Sequence, residues 1–155
     1  MVAWHADDGC TYSYSGQQHP CRPWTPTLDK IRALVERDHG PQHAVLANLY
    51  QDGSHSIAPH ADDEDDLDPD APILMVSLGA VRKFAIKHRA TKARHVLHLE
   101  DGSLLEMRGL TNTVATHGVP KTKQPVGPRI SLTFRRMAGR SVSTHTDPMS
   151  LAEIA

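Results

Sequence analysis

His60 and Asp62 stand two residues apart, so on an extended segment both side chains fall on one face. A neutral imidazole beside a carboxylate offers two ligands to a first-row divalent metal. His117, at the end of a later segment, can complete a set of two histidines and one carboxylate. Such a set leaves three coordination positions open, the arrangement of non-haem Fe(II) oxygenase sites. Spacing alone is a weak signal, because the chain has 11 histidines and a histidine is more often a surface or structural residue.

A second pattern runs from Arg129 to Arg135, where polar and apolar residues alternate strictly. On a strand this puts Arg129, Ser131, Thr133 and Arg135 on one face and Ile130, Leu132 and Phe134 on the other. The simple arrangement turns the apolar face to the core and the arginines to water. In a barrel that holds a ligand, the polar face can point inward instead. Two inward arginines then need anionic partners, since an unpaired buried charge is very costly. A dicarboxylate held through bidentate contacts meets that need.

The elements that carry these residues are legible. Thr25 can cap a helix with Pro26 at its first position, and Leu28, Ile31, Leu34 and Val35 recur at helical spacing until Gly40-Pro41. Residues 16–26 read as an extended, turn-rich entry. After the helix the period becomes two. His43–Tyr50, Ile73–Leu78, Val81–His88, His95–Glu100, Ser103–Met107, Thr111–His117 and Arg129–Arg136 read as strands between turns such as Asp52-Gly53 and Asp101-Gly102. One helix and seven or more short strands predict a mainly β fold, a sandwich or jelly roll with one supporting N-terminal helix. Residues 1–137 form the expected domain, and 138–155, lacking any period, the expected flexible tail.

At 155 residues, 39% hydrophobic and 23% charged, the chain can bury a core and is neither largely disordered nor fibrous. No apolar run reaches the ~18–20 residues of a membrane span, and residues 1–5 lack a signal-peptide layout. No membrane association is expected. Cys10 and Cys21 cannot build a disulfide framework, which suits a reducing cytoplasm. The net charge of −1 hides an asymmetry: seven carboxylates crowd Asp62 to Asp70, leaving 17 Lys and Arg against 11 carboxylates elsewhere. From Ala71 to Leu99 there are six basic residues and no acid, and from Met107 to Thr146 seven and none. Ordinary solvated faces would account for such clusters, and so would an anionic partner. The acidic run beyond Glu64 reads as a solvated loop at the mouth of the site; it lacks the glycine of a calcium-binding EF-hand loop.

With these residues in place, the chain resembles the AlkB family of Fe(II)/2-oxoglutarate-dependent dioxygenases, most of all the DNA-demethylating homologues. The matching segments are Thr11 to Gly16, Pro23-Trp24-Thr25-Pro26, Asn48 to Gly53 and His60-Ala61-Asp62-Asp63-Glu64. They continue through Pro72-Ile73, Ser77-Leu78-Gly79, Arg82-Lys83-Phe84, His117 and Arg129 to Arg135, in order, from about residue 8 to residue 137. The resemblance implies a double-stranded β-helix, in agreement with the jelly roll read from periodicity. It implies Fe(II) on His60, Asp62 and His117, and 2-oxoglutarate on Asn48, Tyr50, Arg129, Thr133 and Arg135, with Arg135 taking the distal carboxylate. Ser131 stands where some members have asparagine. By the same resemblance Tyr12, Tyr14 and Ser15 contact the target nucleotide, Asp63 and Glu64 flank the extruded base, and Lys121 and Lys123 grip phosphate.

The activity so implied is oxidative demethylation of 1-methyladenine or 3-methylcytosine in DNA, with O₂ and 2-oxoglutarate consumed and succinate and formaldehyde released. RNA is a further candidate substrate. These lesions are cationic, so an aromatic face and carboxylates favour them over the normal base. The enzyme is expected to act as a monomer. The resembling enzymes carry an N-terminal lid ahead of the Tyr12 segment, and only 11 residues precede Tyr12 here, so most of that lid is expected to be missing and single strands to be preferred over duplex. The alternative is a 2-oxoglutarate-dependent hydroxylase of a protein side chain or small molecule.

Overall fold

In the computed structural model the described residues are 1–10, 12–14, 17–19 and 21–139, with backbone alone for 12–14 and 17–19. The expected tail lies, from residue 140 onward, outside them. Twelve strands and two helices follow in order. They are β1 Val2–Ala6, β2 Tyr12–Tyr14, β3 Gln17–His19, β4 Cys21–Arg22, α1 Pro26–His39, β5 Ala44–Tyr50 and β6 Ile57–His60. Next come β7 Ile73–Gly79, β8 Arg82–His88, β9 Arg94–Leu99, β10 Leu104–Met107, α2 Thr111–Val114, β11 Ala115–Val119 and β12 Arg129–Arg135. A six-stranded sheet in the order β10-β7-β12-β5-β1-β4 faces a four-stranded sheet, β6-β11-β8-β9, and β2 pairs with β3. Apart from the short β1–β4 pair, the two main sheets are antiparallel, as a jelly roll requires.

The helix begins and ends where its sequence dictates. Thr25 Oγ1 accepts from the Leu28 amide at 3.2 Å, Pro26 takes the first turn, and Gly40 leaves the helix at φ 72°. Val35, with Trp24, Leu28 and Ile31, packs on Val45, Leu74, Leu132 and Phe134 of the large sheet. That sheet is therefore covered on both faces. Its other face meets the small sheet through Tyr50, Ile73, Met75, Phe84, Leu99, Met107 and Val119. The alternation on β12 is resolved by this layering. Leu132 and Phe134 lie under α1, while Arg129, Ser131, Thr133 and Arg135 point between the sheets, each at most 3% exposed.

Two differences from the sequence reading have local causes. Thr111–His117 is not one strand: Thr111–Val114 forms a helical turn, and β11 starts at Ala115. Thr111 Oγ1 donates to the Arg108 carbonyl at 2.7 Å, and the Thr113 and Val114 amides return to Leu110, so local hydrogen bonding defeats the β-branched composition. The single-helix expectation is amended by this turn. Strand β6 carries Pro59, which withdraws an amide donor; it is tolerated because β6 is the edge of its sheet. The acidic stretch is a loop tied to the end of β12, through the Leu67–Met137 bridge and the bonds Asp68 N to Arg136 O and Ala138 N to Asp66 O. Among the described residues no helix is long and apolar enough to cross a membrane.

Candidate active site

His60 closes β6 and pairs across the ladder with His117 on β11, which brings their ring centroids to 4.5 Å. Asp62, two residues beyond His60, is 5% exposed and reaches back between them. His60 Nε2 lies 3.7 Å from Asp62 Oδ1 and His117 Nε2 lies 3.6 Å from Asp62 Oδ2. The three ligand atoms are all within 4.8 Å of one another. His60 Nδ1 is 2.9 Å from the Ala58 carbonyl, a contact that favours a proton on Nδ1 and an unprotonated Nε2 facing the triad. Phe84 stacks on the His117 ring at 5.2 Å. Asp62 Oδ2 is buried and, facing His117 at 3.6 Å, has no partner within hydrogen-bonding distance among the described residues, as expected of an atom meant for a cation. Two imidazoles, one carboxylate and no thiolate fit a divalent iron with open positions.

The acid is prepared by its surroundings. Burial alone would raise the Asp62 pKa, yet the Arg135 guanidinium, with His117 and His60, holds it well below the usual carboxylate range. Arg135 Nη2 donates to Asp62 Oδ1 at 2.8 Å, a pair that is almost wholly inside the protein.

The close approach of β6 to β11 depends on Gly118. A Cβ there would sit 2.7 Å from the Ile57 carbonyl oxygen and 3.2 Å from Ala58, against backbone that has no room to yield. Gly118→Ala is therefore expected to part the two histidine-bearing strands and lower divalent metal affinity by ~10-fold or more, the loss typical of disturbed ligand support. Calorimetric titration with Mn(II) checks it; unchanged affinity would show that the spacing tolerates a methyl group.

A cavity of about 160 Å³ opens between the sheets beside the triad. Its walls include Asn48 and Tyr50 from β5, Ser131, Thr133 and Arg135 from β12, and Ile57, Met75 and Phe84. Arg129 stands at the Tyr50 end, its guanidinium 5.2 Å over the tyrosine ring. Arg129 is 1% exposed, and its Nη2 donates to Ser77 Oγ at 2.9 Å. Its Nε and Nη1 have no partner among the described residues. Burial pushes its pKa down, Tyr50 opposing, and burial pushes that of Tyr50 up, against Ser131 and Arg129. Two buried, unsatisfied donors on one cation are a ready receptor for a carboxylate.

The expected site residues thus fall into groups. His60, Asp62, His117, Asn48, Tyr50, Thr133 and Arg135 come together around one cavity, with Arg129 behind Tyr50. The two arginines of β12 stand at different ends: Arg135, expected on the distal carboxylate, donates its Nη2 to Asp62 Oδ1 beside the triad, and Arg129 lies at the Tyr50 end. Asp63 is largely solvent-exposed and lies 3.5 Å from Arg89 Nη2. Glu64 borders a second cavity of about 420 Å³ that shares Asp62 and Arg135 with the first. Burial raises the Glu64 pKa, despite nearby Arg135. Lys121 and Lys123 are exposed on the loop after β11 and border neither cavity. Tyr12 and Tyr14 pair with His19 and Gln17 through the backbone; their side chains, and Ser15, lie outside the described residues. Arg82, counted in the basic stretch, is buried, and its guanidinium is spent on carbonyls. The supporting roles of Phe84 and Ser77 had no sequence signal beyond their place in the matching segments.

Comparison with known proteins agrees with this geometry. The model of the 2OG-Fe(II) oxygenase superfamily matches residues 1–135. The DNA oxidative demethylase ALKBH2 of Homo sapiens is 40% identical over 144 residues, covering 87% of this chain and 55% of its own length. The Bos taurus protein of that name is 38% identical, with 52% of its length covered. The alpha-ketoglutarate-dependent dioxygenase alkB homolog 3 of Homo sapiens is 31% identical over 145 residues, with 87% of this chain and 50% of its own covered. The chain spans a little over half the length of the curated relatives it matches first. The solved structure of OsALKBH1 shares the fold, with TM-score 0.53 and 21% identity over 79% of this chain and 69% of that one. A triad on paired strands, an inward arginine face and a family match from the first residue to the end of β12 converge: the chain belongs to the 2OG-Fe(II) oxygenase superfamily, among its AlkB-like members.

Proposed function

We propose that this chain is an Fe(II)- and 2-oxoglutarate-dependent oxygenase that removes methyl groups from alkylated nucleobases, 1-methyladenine and 3-methylcytosine, in single-stranded DNA. The observation that carries the oxygenase reading is the inward face of β12, with one buried arginine at the metal-ligand end and another, with two unsatisfied donors, at the Tyr50 end. The nucleobase reading leans on relatives that bear the name DNA oxidative demethylase.

Fe(II) bound on the triad, with 2-oxoglutarate and O₂, would supply the oxidation, turning the cosubstrate into succinate and CO₂ and placing one oxygen atom on a substrate methyl C–H bond. The chain's own residues do the rest. Arg129 takes the distal carboxylate and Tyr50, Asn48 and Thr133 line its path. Arg135 keeps Asp62 charged and oriented. Phe84 fixes the His117 ring. The walls exclude water, and the hydroxymethylated base then loses formaldehyde. In this reading the enzyme works as a monomer in the reducing cytoplasm, which suits a chain with two cysteines, too few for a disulfide framework.

A methyl group on the pairing edge is hidden in a duplex, and extruding the base costs a few kcal/mol. Formaldehyde release from matched methylated oligonucleotides is therefore expected to be faster on single strands than on duplex, across a salt series. Equal or faster duplex repair contradicts the strand preference. Consumption of 2-oxoglutarate with every oligonucleotide unchanged would transfer the reading to hydroxylation of a protein side chain or small molecule.

A further inference from the structure

Arg82 is 3% exposed and has no carboxylate within 4.0 Å among the described residues. Its guanidinium instead donates to three backbone carbonyls. Nη1 reaches Asp52 O at 2.9 Å, and Nη2 reaches His55 O at 2.9 Å and Pro120 O at 2.8 Å. Two loops, one after β5 and one after β11, are thereby fastened to the start of β8. The Arg82 guanidinium also lies over the Tyr50 ring, 5.7 Å from its centroid, and Arg129 lies over the same ring at 5.2 Å. The Tyr50 end of the cavity therefore holds two buried positive charges without a counter-charge among the described residues. Such an arrangement is costly when empty and is relieved by an anion.

We propose that Arg82 is a positioning residue of the cosubstrate pocket: it holds Tyr50 and the two loops behind it in place, and its charge, added to that of Arg129, makes the far end selective for a dicarboxylate. This rests on the cosubstrate reading above. Arg82 touches no cosubstrate atom and works through Tyr50 and the field it shares with Arg129. A 2-oxo acid lacking the distal carboxylate would gain nothing from it.

The test compares binding of 2-oxoglutarate and 2-oxovalerate, which has the same carbon chain without the distal carboxylate, to Mn(II)-loaded protein by calorimetry. Two variants separate the contributions. Arg82→Lys keeps the charge and loses the planar fork, and Arg82→Gln loses the charge and keeps an amide donor. Both should weaken 2-oxoglutarate, Arg82→Gln on the order of 10-fold as for a lost charge in a partly screened interior, while 2-oxovalerate and Mn(II) affinities stay within about 2-fold. Equal losses for both acids would reduce Arg82 to a structural brace, and no loss would remove it from the pocket. Should neither variant fold, hydrogen exchange on the unmodified protein decides: amides of 51–55 and 121–122 should slow with 2-oxoglutarate and not with 2-oxovalerate. The same protection from either acid, or from neither, overturns the proposal. A wild-type protein that fails to bind 2-oxoglutarate at all sinks the oxygenase reading along with it, whereas binding that ignores Arg82 sinks this inference alone.

Discussion

An Asp62→Ala variant is expected to lose all measurable turnover and to bind Fe(II) or Mn(II) at least ~100-fold more weakly than the wild type. Disturbing a residue that merely supports a ligand already costs ~10–100-fold in metal affinity, and here the ligand itself goes. The substitution acts twice. It removes the only carboxylate of the triad, and it takes from Arg135 the partner held at 2.8 Å deep inside the protein. Breaking a buried pair on one side costs about 3–5 kcal/mol of stability, so Asp62→Asn should accompany the alanine. Asparagine keeps the volume and one oxygen but not the charge, and should give the same loss of turnover with a smaller fall in melting temperature. Retained activity in either variant, with metal content measured alongside, would remove Asp62 from the site.

Arg129→Lys is expected to raise the apparent KM for 2-oxoglutarate by ~10-fold or more, and by more than Arg135→Lys does. Lysine keeps the charge but replaces a planar fork with a point donor. At position 129 the fork supplies two donors, Nε and Nη1, that have no partner among the described residues. At position 135 one nitrogen, Nη2, donates to Asp62 Oδ1, so Arg135→Lys should act chiefly on metal affinity. Titrating cosubstrate and Mn(II) against both variants separates these effects. The opposite order of KM values would return the distal carboxylate to Arg135.

Much of this was legible in the sequence, where the signal is local. Thr25, Pro26 and Gly40 mark α1 because caps act within a turn of the chain. The alternation of β12 survives folding because strand geometry fixes it, and Asp62 stays beside His60 because it lies only two residues past the end of β6. What the sequence could not settle is non-local. Arg129 and Arg135 sit in one alternating pattern; their surroundings part because β12 pairs Arg129 with Tyr50 at one end and Arg135 with Ala44 at the other. The same holds for Arg82, which reads as one cation in a basic stretch until three carbonyls from distant loops close around it. The turn at α2 was hidden for the reverse reason: β-branched residues promised a strand, and side-chain to backbone bonding overrode them.

The most direct test of the whole account is the product balance of a single incubation. Purified protein, Fe(II), 2-oxoglutarate and a single-stranded oligonucleotide carrying 1-methyladenine are combined, and succinate, formaldehyde and the oligonucleotide mass are measured together. One succinate and one formaldehyde are expected for each methyl group lost, and neither product from the Asp62→Ala variant. Methyl loss without succinate, or from the variant, would contradict this balance.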